Sequence, residues 1–142
     1  MNKPFEILVI EDNLSDFVMV QTALRKADVN LENVVDGDKA IDWLTERIPD
    51  NLPDLVMLDI NMPRVDGFTV LKHIRDTPAL SHLVVIILTT STAKRDVERG
   101  VELGMNTYIP KPMSYDKYEM AMETVRAYWQ EVSLIFKTGN NA

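Results

Sequence analysis

Short apolar runs alternate with segments of helical period along the chain, which is the pattern of parallel strands joined by crossover helices. Runs at residues 5–10, 30–35, 54–58, 83–88 and 106–109 predict strands. The run Leu83-Val84-Val85-Ile86-Ile87-Leu88 is apolar without alternation, so its strand is expected to be covered on both faces, as in parallel sheets. Between the runs, residues 14–27 repeat apolar positions at Phe17, Val20, Leu24 and Ala27, and residues 37–47 at Ala40, Ile41 and Leu44. Residues 66–75 do so at Phe68, Leu71 and Ile74, and residues 93–103 at Ala93, Val97 and Val101. Each spacing predicts a helix with one buried face.

A last helix is expected from Ser114, a good N-cap followed by Asp116 in the positive first turn, to about Phe136. It carries more apolar residues than one buried face needs. Tyr118, Met122, Val125, Trp129, Val132 and Phe136 recur at three- and four-residue steps, with Tyr115, Ala121, Tyr128 and Leu134 off that stripe. The excess points to a partner surface, assigned to the stripe itself, over a polar tail at residues 137–142.

The 142 residues make one domain of the usual size, read as a single unit over residues 1–142 with its core at 5–136 and no output domain. A formal charge of −7 disfavours direct binding to DNA or RNA. With no Cys there are no disulfides, thiolate metal sites or Cys nucleophiles, which fits a cytoplasmic protein. No stretch approaches the roughly 18 apolar residues of a membrane span, so no membrane partner is expected.

Ligands of open parallel sheets bind beyond the carboxyl ends of the strands. Glu11 and Asp12 follow the first run, Asp59 the third, Thr89, Thr90 and Ser91 the fourth, and Lys111 the fifth. If the first and third strands are neighbours, three carboxylates meet at one edge, where they cannot all stay ionised without a counter-charge. A hard cation resolves the conflict. An all-oxygen set suits Mg²⁺, and the Asn61 backbone carbonyl offers a further oxygen. Taken singly, Glu11 and Asp12 are also what a helix start favours, and Lys111 and Thr89 are ordinary surface and strand-end residues. Lys111 precedes Pro112, however, and a cis bond there would fix a tight turn and aim the lysine inward.

A carboxylate beside Mg²⁺, an ammonium and a hydroxyl suits phosphoryl transfer, with Asp59 as nucleophile forming an acyl phosphate. Two histidines, His73 and His82, leave a Ser-His-Asp triad or a His-rich metal site short of parts. No GxGxxG or GxxxxGK[ST] follows a strand.

The motifs Ile7-Leu8-Val9-Ile10-Glu11-Asp12-Asn13, Leu58-Asp59-Ile60-Asn61-Met62-Pro63 with Asp66-Gly67, Leu88-Thr89, and Tyr108-Ile109-Pro110-Lys111-Pro112 resemble those of a two-component response-regulator receiver domain. The resemblance implies a flavodoxin-like α/β sandwich of three layers, with a five-stranded parallel sheet in the order 2-1-3-4-5 and helices on both faces. It implies Asp59 as phosphoacceptor for a histidine kinase, Glu11, Asp12 and Asp59 as Mg²⁺ ligands, Thr89 as switch hydroxyl, Tyr108 as switch aromatic, and Lys111 as partner of the phosphoryl group. Such a protein is a signalling phosphoacceptor that catalyses its own phosphorylation and dephosphorylation, and not a dedicated enzyme. Leu88-Thr89-Thr90-Ser91, the connection Ile48-Pro49-Asp50-Asn51-Leu52-Pro53 and the ending Tyr128-Trp129-Gln130-Glu131-Val132 are similar to stand-alone regulators of cyanobacterial and bacterial phytochromes. That likeness implies a phytochrome-type sensor kinase and a homodimer through the C-terminal helix region. Thr90 stands where most receivers carry a very small residue, which narrows access to the phosphoryl group.

Three other classes compete. A scaffold that never turns over phosphate would keep the fold, but neither an acid nor Lys111 is lost. A dehalogenase-like hydrolase would want a second acid where Asn61 stands. A flavin binder would want a hydroxyl-rich loop in place of Glu11-Asp12-Asn13.

Overall fold

The structure is a computed structural model, and it describes residues 4–134. Strands and helices alternate without a break: β1 (Phe5–Ile10), α1 (Leu14–Ala23), β2 (Val29–Val34), α2 (Gly37–Glu46), β3 (Leu55–Leu58), α3 (Gly67–Asp76), β4 (Val84–Thr89), α4 (Lys94–Leu103), β5 (Thr107–Pro110) and α5 (Tyr115–Ala127). The five strands form one parallel sheet in the order β2-β1-β3-β4-β5. This is the flavodoxin-like sandwich expected, and every strand lies within one residue of its apolar run.

Side chains alternate across each strand, so the sheet feeds two cores. Leu8, Ile10, Val56, Leu58, Val85 and Ile87 pack against Ala40 and Leu44 of α2 and Val70, Leu71 and Ile74 of α3. Ile7, Val9, Leu55, Met57, Ile86 and Leu88 pack on the other side against Val20 and Ala23 of α1 and Tyr118 and Met122 of α5. Every residue of β4 is buried, as its unbroken apolar run requires.

Side-chain caps start four of the helices. Asn13, Asp36, Asp66 and Ser114 each accept the backbone N–H three residues on. The first helix is shorter than its apolar pattern. It stops at Ala23, and the Thr22 carbonyl takes both the Arg25 N–H at 3.3 Å and its guanidinium at 2.8 Å as the chain turns toward β2.

The C-terminal helix departs further from expectation. Regular α5 ends at Ala127 and a π-helical turn follows over Tyr128–Val132, closed by the Ser133 N–H on the Tyr128 carbonyl at 2.8 Å. The wider turn breaks the 3.6-residue period and swings Val132 off the buried stripe, to 72% exposure. The partner surface assigned to that stripe is therefore corrected. Tyr118 and Met122, at 3% and 0% exposure, belong to the core of their own domain, and Val125 and Trp129 pack against it. Phe136 and the tail lie outside the described residues. The exposed apolar residues of this region are Met120, Tyr128, Val132 and Leu134. No helix among the described residues is long and apolar enough to cross a membrane.

Candidate functional site

The site is assembled at the carboxyl ends of β1, β3, β4 and β5. Backbone bonds align these ends: the Asp59 N–H meets the Ile10 carbonyl at 3.0 Å, the Glu11 N–H the Val34 carbonyl at 3.1 Å, and the Lys111 N–H the Thr89 carbonyl at 2.7 Å. From β2, Asn33 donates its side-chain amide to the carbonyls of Val9 and Glu11, which pins the turn into α1. A Cβ at Gly67 would collide with the Asp59 carbonyl, so only glycine lets the start of α3 sit against the third strand.

Carboxylate oxygens of Glu11, Asp12 and Asp59 come within 4.8 Å of one another, as the sequence predicts for neighbouring first and third strands. Glu11 and Asp59 are buried and Asp12 is exposed at the mouth. The Asn13 N–H holds Glu11 Oε2 at 3.1 Å and the Asn61 N–H holds Asp59 Oδ1 at 3.0 Å.

Lys111 enters this acidic group from the end of β5, its side chain only 6% exposed. Its Nζ lies 2.7 Å from Glu11 Oε1, 2.7 Å from Asp16 Oδ2 and 3.0 Å from Asp59 Oδ2. These ion pairs aim it inward. The bond to Pro112 is not cis: the cis peptide among the described residues is Ile48–Pro49.

One ammonium does not balance the acids around it. Burial, reinforced by the charge of Asp59, pushes the Glu11 carboxyl up to about 7 in spite of its bonds to Lys111 and Asn13. Burial by itself would lower Lys111, but its bonds to Asp16, Glu11 and Asp59 outweigh burial and raise it. A second positive charge among all-oxygen ligands relieves the remaining repulsion, so the residues fit a hard divalent cation held by Glu11, Asp12 and Asp59.

Thr89 ends β4 and is fully buried. Its Oγ1 accepts the Asn61 side-chain amide at 3.1 Å and the Ser91 N–H at 3.4 Å, which leaves the hydroxyl proton free to be donated. Thr90 is exposed beside it. Tyr108 stands outside the acidic group: its ring packs at the margin of one core and its hydroxyl donates to the Ser91 carbonyl at 2.9 Å. Ser91 in turn donates to Asp96 Oδ2 at 2.5 Å.

Two participants escape a reading of the sequence. Asp16 looks like an acid favoured by the α1 dipole, and the only signal of more is that it falls one helical turn after Asp12. The Asn61 side chain, which ties Thr89 to the Asp59 loop, has no signal at all. The expectation for Asn61 concerned its carbonyl alone.

A family model for the response regulator receiver domain matches residues 7–123. The chain belongs to this family. Among other receivers it is 34% identical over 130 residues to the probable methanogenesis regulatory protein FilR2 of Methanothrix harundinacea, covering 89% of this chain and 84% of that one. It is 32% identical over 137 residues to the response regulator Rcp1 of Synechocystis, covering 92% of each chain. The receiver fold superposes on the phosphorylated cyanobacterial phytochrome response regulator RcpA with a TM-score of 0.87 at 28% identity, covering 93% of this chain and 98% of that one. On the Mn²⁺-bound form of Rcp1 the TM-score is 0.85 at 31% identity, covering 94% and 99%. The receiver is thus a response regulator of two-component signalling, with an acidic cluster where a divalent cation would sit.

Proposed function

We propose that this receiver accepts a phosphoryl group on Asp59 from the phosphohistidine of a sensor kinase and signals through protein contacts. The observation that carries the reading is Lys111 Nζ held 3.0 Å from Asp59 Oδ2 in a buried pocket that also contains Glu11. An Asp59 oxygen attacks phosphorus, the P–N bond to the kinase imidazole breaks, and its electron pair stays on the ring nitrogen, which takes up a proton. The Asn61 N–H orients the attacking carboxylate through Oδ1. Lys111 offers its ammonium to one phosphoryl oxygen, and Thr89 its free hydroxyl proton to another. Mg²⁺ held by Glu11, Asp12 and Asp59 would neutralise charge on the transferred group. The Asn61 carbonyl is a further candidate ligand.

Drawing Thr89 toward the phosphoryl group strains its bond to the Ser91 N–H, and Tyr108, bonded to the Ser91 carbonyl, is positioned to respond. The protein is a signalling phosphoacceptor and not a dedicated enzyme. Its likeness to Rcp1 and RcpA favours a phytochrome-type kinase as donor. A homodimer through the exposed Tyr128, Val132 and Leu134 belongs to the same reading.

The test is intact-mass measurement after incubation with a small-molecule phosphodonor, with and without Mg²⁺. One phosphoryl adduct is expected, dependent on Mg²⁺ and absent from Asp59→Asn; an adduct that survives the substitution defeats the reading. Transfer from a phytochrome kinase, set against a kinase of another sensory class, tests the donor.

A further inference from the structure

Given Asp59 as phosphoacceptor, Lys111 faces a conflict of partners. An ammonium has three N–H donors, and Glu11, Asp16 and Asp59 account for all of them. A phosphoryl oxygen can gain Lys111 only by displacing a carboxylate. Glu11 and Asp59 belong to the cluster that fits a cation, and the phosphoryl group is itself attached to Asp59. Asp16 stands outside that cluster, on the first turn of α1, and is the partner left to be given up.

A second observation concerns Tyr118 on α5. Its hydroxyl is the one buried side-chain polar atom among the described residues without a hydrogen-bond partner. A native core rarely leaves such a group unpaired. Tyr115, one turn earlier, shows the ordinary case: its hydroxyl meets Arg25, Glu119 and the Thr22 carbonyl. Burial pushes the Tyr118 hydroxyl up to about 12, and of the charges that act on it Asp16 is the strongest, ahead of Lys111, Glu11 and Asp59. An unused donor on α5 therefore lies within the field of the carboxylate on α1 that phosphorylation would strip of its cation.

We propose that Asp16 and Tyr118 form a relay for Lys111: Asp16 holds the ammonium before phosphorylation, and the Tyr118 hydroxyl donates to Asp16 once the ammonium turns to the phosphoryl group. Both are positioning residues, since neither touches the reacting atoms. No proton changes owner; one charge-assisted hydrogen bond replaces another. The exchange adds a bond between α1 and α5 in the phosphorylated form alone, and so links the site to the helix whose end carries the exposed Tyr128 and Val132.

The relay is tested with a cycle of Asp16→Ala and Tyr118→Phe, reading the formation rate and half-life of the Asp59 adduct with a small-molecule phosphodonor and Mg²⁺. Asp16→Ala is expected to speed formation about threefold, because Lys111 no longer leaves a charged partner, and Tyr118→Phe to shorten the half-life by about the same factor, with no further effect of Tyr118→Phe in the Asp16→Ala background. The ζ-carbon NMR resonance of Tyr118 is expected to shift on adding beryllofluoride to wild type and to stay put in Asp16→Ala. Equal effects of Tyr118→Phe in both backgrounds, or an unmoved resonance in wild type, overturn the relay while Asp59 phosphorylation stands. A wild type that forms no adduct on Asp59 overturns the phosphoacceptor reading, and the relay with it.

Discussion

Asn61 donates its side-chain amide to Thr89 Oγ1 at 3.1 Å while its backbone N–H holds Asp59 Oδ1 at 3.0 Å, so one residue ties the end of β4 to the loop after β3. Asn61→Ala keeps the backbone bond and removes the amide from a fully buried hydroxyl, an expected loss of about 1–3 kcal/mol. Thr89→Val in the Asn61→Ala background is expected to add less than it does alone. Urea unfolding of the single and double variants checks the non-additivity.

Lys111→Met leaves Glu11 and Asp59 buried together without their ammonium. The metal-free variant is expected to lose about 3 kcal/mol near pH 8. Near pH 6 the loss is smaller, because Glu11, already pushed up to about 7, takes a proton and removes one of the opposed charges. Added Mg²⁺ is expected to restore part of the loss. Denaturant midpoints at the two pH values, with and without the ion, decide it.

The elevated Glu11 carboxyl also gives the wild type a pH signature. Its folded-state value lies above its ordinary 4.5, so the folded form binds this proton more tightly than the unfolded chain does. The stabilisation is complete below about 4.5, falls as pH rises toward about 7, and is gone above it. Metal-free Glu11→Gln is expected to show a flatter profile of stability through that window. Mg²⁺ requires the ionised carboxylate, so its affinity is expected to climb over the same window with release of a proton. Calorimetry in buffers of different ionisation enthalpy measures that release.

Helix α5 separates packing from association. Met122→Ala empties a fully buried position and is expected to destabilise the domain by about 2–5 kcal/mol. Val132→Asp, on an exposed residue, is expected to change stability by no more than about 0.5 kcal/mol while lowering the dimer fraction. Thermal unfolding and sedimentation velocity on both variants distinguish the two effects. A dimer that persists in Val132→Asp removes this surface from the interface.

Much of the architecture was legible along the chain because local physics specifies it. Burial on both faces makes β4 an unbroken apolar run, and Asn13, Asp36, Asp66 and Ser114 cap helices through bonds that span three residues. The acids after β1 and β3 were legible as a set because a parallel sheet puts its strand ends at one edge. The C-terminal helix was misread because a period shows which residues share a face and says nothing of what that face meets. Its apolar stripe was taken for a partner surface, whereas Tyr118 and Met122 close the core of their own domain.

Apolar alternation and the acids at strand ends thus set the class of fold and the residue types of the site, since both follow from bonds and burial between near neighbours in the chain. Which groups touch was decided in three dimensions. Lys111 meets Asp16 across a sequence separation of 95 residues and Asn61 meets Thr89 across 28, and no local pattern encodes either contact. The order of strands brings those segments together, and the number of donors on a single ammonium sets how many carboxylates Lys111 can hold at once.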